Sequence, residues 1–97
     1  MEAGMSTEAL AWAFTQLAPT PESKLLLVLL ADIADPEGLV HSPDHGRLAT
    51  YCCTDAIGVQ CALAELYSTG LASKRWDGIC LPVPPMDYGR TALRRRA

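Results

Sequence analysis

The sequence has no long apolar run. Its longest, Leu25 to Ala31, is seven residues, far short of the roughly 20 that span a bilayer. No positively charged start leads into an apolar segment and cleavage site, so no secretory signal is read and a cytosolic protein is expected. No C-x-x-C occurs among the four cysteines, Cys52, Cys53, Cys61 and Cys80. The adjacent pair Cys52-Cys53 does not easily serve one compact cluster. Without export, a disulfide framework is not expected, and the cysteines read as small buried hydrophobes. His41 and His45 stand at i, i+4, but Pro43 between them argues against one continuous helix, and the spacing fits no familiar zinc site. Paired carboxylates, a Ser/His/Asp set and a phosphate-cradling glycine loop are all missing, so neither catalysis nor a cofactor is expected. Internal repeats and low-complexity segments are missing too. One further scarcity matters most: from Ser42 to Gly70 the only permanent cation is Arg47, set against Asp44, Asp55 and Glu65.

What is present suits one small domain. The 97 residues are 49% apolar and 20% charged, enough for a core and unlike a disordered chain. The net charge of −3 is unevenly placed. Residues 1–70 carry nine carboxylates against two cations, net −7, and residues 71–97 carry six cations against two carboxylates, net +4. An acidic body with a basic tail informs binding rather than fold.

Taken in order, the chain divides into an N-terminal helix (1–19), a core (20–85) and a basic tail (86–97). Ser6 or Thr7 caps the first helix, Glu8 sits in its first turn, and Leu10, Phe14 and Leu17 share one face, with Trp12 to the side. Ala18-Pro19 ends it. Thr20-Pro21-Glu22 then supplies a cap, a proline at the first helical position and a first-turn carboxylate. The leucine-rich helix that follows is expected at the centre of the core, and Asp35-Pro36-Glu37-Gly38 stops it. Leu39-Val40-His41 has the length of a short strand able to pair with a later hairpin. Asp44 caps the next helix, whose Leu48, Ala49 and Cys52 face inward. After a turn at Cys53-Thr54, Thr54 or Asp55 caps a longer helix with an apolar stripe of Val59, Ala62, Leu63 and Leu66, ended by a left-handed Gly70. Leu71 to Val83 reads as a hairpin turning at Trp76-Asp77-Gly78, with Pro82 confining its second strand to an edge. The fold class is therefore mostly α with a small β-hairpin.

Helix, short strand, helix, turn, helix and two-stranded wing is the order of a winged helix-turn-helix. Over residues 9–75 the chain resembles the helix-turn-helix domains of small phage and prophage regulators and replication-initiation proteins. The resemblance rests on W-A-F-T-Q at 12–16, T-P-E-S-K-L-L-L-V-L-L-A-D at 20–32, E-G-L-V-H-S-P at 37–43, L-A at 48–49 and V-Q-C-A-L-A-E-L-Y-S-T-G-L at 59–71. In that group the turn carries a glycine where this chain has Cys53. Basic or hydroxyl side chains there open and line the recognition helix, at positions held here by Ala56, Ile57, Gly58, Cys61, Ala64 and Glu65. Of the polar recognition residues only Gln60 remains. Gly58 weakens the helix by roughly 1 kcal/mol against alanine and leaves room for another backbone to approach.

Two functions follow. Cationic neutralisation supplies most non-specific DNA affinity, and an arginine–guanine pair contributes about 1–3 kcal/mol of discrimination. A helix without cations is poorly suited to that work. Ala56, Ile57, Cys61 and Ala64, with Gln60 beside them, instead form an apolar strip suited to a protein partner if exposed. The first expectation is a phage-type inhibitor or adaptor of host machinery, of the anti-CRISPR or antirepressor type, contacting a host or phage protein. That partner could belong to a nucleic-acid-binding complex, and homodimerisation through the strip is a subsidiary reading. A blander reading packs Ile57 against the N-terminal helix. The second expectation is a transcriptional regulator or replication accessory that grips duplex DNA with Lys74, Arg75, Arg90, Arg94, Arg95 and Arg96 while Gln60 reads a base. Lys74 and Arg75 could also merely blunt an exposed strand edge.

Overall fold

The computed structural model describes residues 7–84. Ser6 as a cap and the basic tail with Arg90, Arg94, Arg95 and Arg96 lie outside the described residues. The elements run α1 (Thr7–Thr15), α2 (Pro21–Ile33), β1 (Leu39–His41), α3 (His45–Tyr51), α4 (Ala56–Ser68), β2 (Ser73–Arg75) and β3 (Gly78–Cys80). Together they make a small, mostly helical domain with a three-stranded antiparallel sheet in the order β1-β3-β2. No helix among the described residues is long and apolar enough to cross a membrane.

The entry to α2 forms as its residues dictate. Pro21 takes the first helical position, and the Thr20 hydroxyl oxygen accepts from Ser23 N while Ser23 Oγ accepts from Thr20 N, each at 3.1 Å. This reciprocal pair satisfies two orphan donors of the first turn. The same Thr20 hydroxyl donates to Glu65 Oε1 at 2.7 Å, tying the start of α2 to α4. Thr20→Val is expected to lower stability by about 1–2 kcal/mol, since it removes the cap and leaves the carboxylate unpartnered. A urea midpoint within error of the parent's would show that this junction contributes nothing.

Leu26, Leu27 and Leu30 of α2 are wholly buried, against Val59, Leu63 and Leu66 of α4 and Leu48 of α3. Val40, Ile79 and Leu81 close the core from the sheet side. Burying each such side chain stabilises by about 1.5–3 kcal/mol. The α4 stripe forms as its spacing predicts, with Asp55 Oδ1 accepting from Gly58 N at 2.8 Å as the cap. The turn before it places Cys53 at φ +57°, the left-handed region that a glycine would occupy at lower cost.

Four expectations need correction. On α1, Ala9 and Ala13 are the buried residues, with Leu10 and Trp12 packed beside them. Phe14 and Leu17 are 62% and 94% exposed. The helix meets α2 across its small side chains and ends at Thr15, so helical spacing no longer governs Leu17. Lys24 Nζ donates to the backbone oxygens of Ala13, Phe14 and Gln16 around the helix's C-terminal end, a cation placed at the negative end of the helix dipole. In the hairpin the loop is Trp76-Asp77 alone, because Arg75 pairs with Gly78, the first residue of β3. Pro82 does not put the second strand at an edge: β3 is the central strand and ends at Cys80, before the proline. At Gly58 it is the Thr54 side chain, not another backbone, that fills the space a Cβ would need.

The link from α2 to β1 is held by Asp35, whose Oδ1 accepts from the backbone N–H groups of Glu37 and Leu39, both at 2.9 Å, while Oδ2 lies 3.3 Å from His41 Nε2. Burial alone would raise this carboxyl, but the two N–H donors and His41 outweigh it and hold it below its ordinary value of 3.8. A depressed carboxylate contributes stability above its unfolded pKa, and that contribution is lost as pH falls through the folded one. Asp35→Asn should therefore flatten the loss of stability below about pH 4, as followed by urea melts across the acid range. An unchanged acid limb would contradict this role.

Candidate functional site

The outward side of α4 follows from its inward side. With Val59, Ala62, Leu63 and Leu66 committed to the core, the 3.6-residue period leaves Ala56, Ile57, Gln60, Cys61 and Ala64 facing away, and all five are exposed. Ile57 is 74% exposed, so it does not pack against the N-terminal helix. Glu65, expected among the outward positions, is instead half-buried and held by Thr20. Asp55 stays exposed at the head of the helix, with one oxygen engaged as the cap.

The hairpin stands beside this helix. Lys74 and Arg75 are exposed on β2, one of the sheet's two outer strands, and Trp76 at the hairpin tip is 94% exposed. Between α4 and the hairpin runs a groove of about 440 Å³, lined on one side by Gln60, Ala64 and Tyr67 and on the other by Lys74, Arg75 and Trp76. Gln60 and Ala64 thus belong both to the apolar strip and to the groove wall. Ala56, Ile57 and Cys61 lie outside the groove lining. Of the expected residues, Gln60 and Ala64 on α4 and Lys74 and Arg75 on β2 face one another across the groove.

Charge in the groove is mixed. Asp77 also lines it, and its Oδ1 lies 3.7 Å from Arg75 Nε. That oxygen is buried and has no hydrogen-bond partner. His45 contributes from the start of α3. Sequence reasoning did not single out Trp76, Tyr67 or Asp77 as site residues. For Trp76 the signal was available, since a large aromatic at the tip of a two-residue hairpin has no core to enter.

A second hollow of about 540 Å³ lies between α2 and α3, among Leu29, Ile33, Leu48 and Tyr51, with Asp32, Asp44 and Arg47 around it. Arg47 Nη2 donates to the Tyr51 hydroxyl at 3.2 Å and its guanidinium sits 5.9 Å from that ring's centroid. None of the expected site residues lines it.

His41 is on β1 and paired with Asp35, while His45 opens α3, so the two do not share a helix face. Among the described residues no three His, Cys, Asp or Glu side chains gather as a metal site. All four cysteines are free, and burial pushes the half-buried Cys52 thiol up, away from the reactive thiolate. No family model, curated protein or solved structure matches the chain at a significant level.

Proposed function

We propose that this chain is a winged helix-turn-helix protein that acts by contacting another protein through α4. Its element order and its β1-β3-β2 sheet support the winged-helix reading. The observation that carries the function is Ile57, 74% exposed within a strip of Ala56, Cys61 and Ala64 that holds no cation. An exposed β-branched side chain among small neighbours gives a partner a flat apolar surface to desolvate, whereas phosphate requires charge. Its resemblance to phage and prophage regulators suggests host machinery as that partner, with the protein as an inhibitor or adaptor of the anti-CRISPR or antirepressor type. The same strip could join two copies of the chain as a homodimer.

One observation favours the second reading, a DNA-binding regulator or replication accessory. Lys74 and Arg75 are both exposed beside Gln60 across the groove. Titrating the full chain with duplex DNA at low salt separates the two. Protein contact predicts no saturable duplex binding. Binding that weakens steeply as salt rises, and that is lost on removal of residues 86–97, would establish the DNA reading instead.

A further inference from the structure

The groove between α4 and the hairpin has a composition that selects among ligands. Trp76 is almost completely exposed at the tip, where tryptophan is costly to leave in water and effective as an interface anchor. Lys74 and Arg75 line the groove beside it, so an anionic group entering there meets two cations. Asp77 Oδ1 is buried and lies 3.7 Å from Arg75 Nε, so it faces that cation rather than an incoming ligand. Gln60 offers both a donor and an acceptor on the opposite wall.

We propose that this groove binds an extended peptide segment of the partner protein, one that carries a carboxylate next to a large apolar side chain. This proposal rests on the protein-contact reading of α4 and names the chemistry of what is contacted. The apolar side chain packs on Trp76 while the carboxylate lies between Lys74 and Arg75. A single carboxylate is satisfied by these two cations, whereas single-stranded nucleic acid is held along a basic track, and the α4 wall of the groove carries no cation. A basic segment fits worse still, since it would oppose Lys74 and Arg75.

A random peptide library displayed on phage, selected on the full-length protein, tests the proposal. Enrichment of acidic sequences containing a large apolar residue is expected. The selected peptides, synthesised, should lose tenfold or more in affinity on Trp76→Ala and on Lys74→Glu combined with Arg75→Glu. Ile57, outside the groove, should be dispensable for them: Ile57→Glu is expected to leave their affinity within twofold. Enrichment of basic peptides, no enrichment at all, or affinity indifferent to Trp76 would each overturn the proposal. So would oligothymidylate binding that depends on Trp76, which would assign the groove to nucleic acid. Failure here with partner binding still lost in Ile57→Glu would leave the α4 reading standing. Success here with partner binding intact in Ile57→Glu would refute that reading alone.

Discussion

Replacing Gly78 by alanine is expected to cost about 3 kcal/mol or more, out of the roughly 5–15 kcal/mol that holds a domain of this size. Gly78 opens β3 at φ +147°, a conformation that L side chains rarely adopt. A Cβ there would overlap the Val40 carbonyl oxygen and stand 3.0 Å from the Val40 carbonyl carbon. Both obstacles are backbone, so no rotamer change relieves them. Gly78 pairs with His41 on one side and with Arg75 on the other, so a shift of β3 disturbs both ladders. Gly70 is the control. It too has a positive φ, +80°, but nothing lies within 4 Å of its would-be Cβ. Gly70→Ala therefore carries backbone strain alone and should cost about 1 kcal/mol. Urea unfolding of the two variants gives the comparison directly. Equal losses would mean that the approach of β1 to β3 is not as close as described.

Ile57→Glu is expected to weaken partner binding about 100-fold, close to 2.7 kcal/mol, while leaving the fold intact. The position is chosen for that separation. Ile57 is 74% exposed, so no core contact is lost. It stands two residues after the Asp55 cap, in the first turn of α4, where a carboxylate is favoured by the helix dipole. Stability should stay within about 0.5 kcal/mol of the parent's. Cys61→Arg, one helical turn further on, introduces a good helix former and places a charge in the strip. Capture of the partner from host lysate should fail with either variant while thermal melts coincide. Capture that survives both would remove α4 from the interface.

The parts of the fold legible in the sequence are those set by local chemistry. Thr20-Pro21-Glu22 specifies a helix start through one cap and one fixed φ, and the structure forms it there. The α4 stripe at 59, 62, 63 and 66 is buried as its period requires. Cys53 takes the left-handed conformation in the turn that the sequence places before α4. What sequence did not settle is where tertiary partners choose between local options. On α1, alanine rather than phenylalanine faces inward, because close packing against α2 favours small side chains over large ones. In the hairpin, Pro82 restricts only its own position, and the strand had already ended two residues before it.

The site was legible in part. Exposure of Ile57 and Cys61 follows from helical period once the core stripe is known. The groove was not readable, since it depends on how the hairpin leans beside α4 and on Asp77 lying in its lining. The inward turn of Glu65 was hidden for a similar reason: its partner, Thr20, is 45 residues away.

Hydrogen–deuterium exchange of the full chain, alone and in complex with the captured partner, tests the central claim most directly. Contact through α4 predicts slowed exchange over residues 55–68, extending to residues 73–78 of the hairpin, with the α2–α3 hollow unchanged. Slowing confined to residues 29–51, with residues 55–68 unaltered, would place the partner on the other side of the molecule and contradict the account.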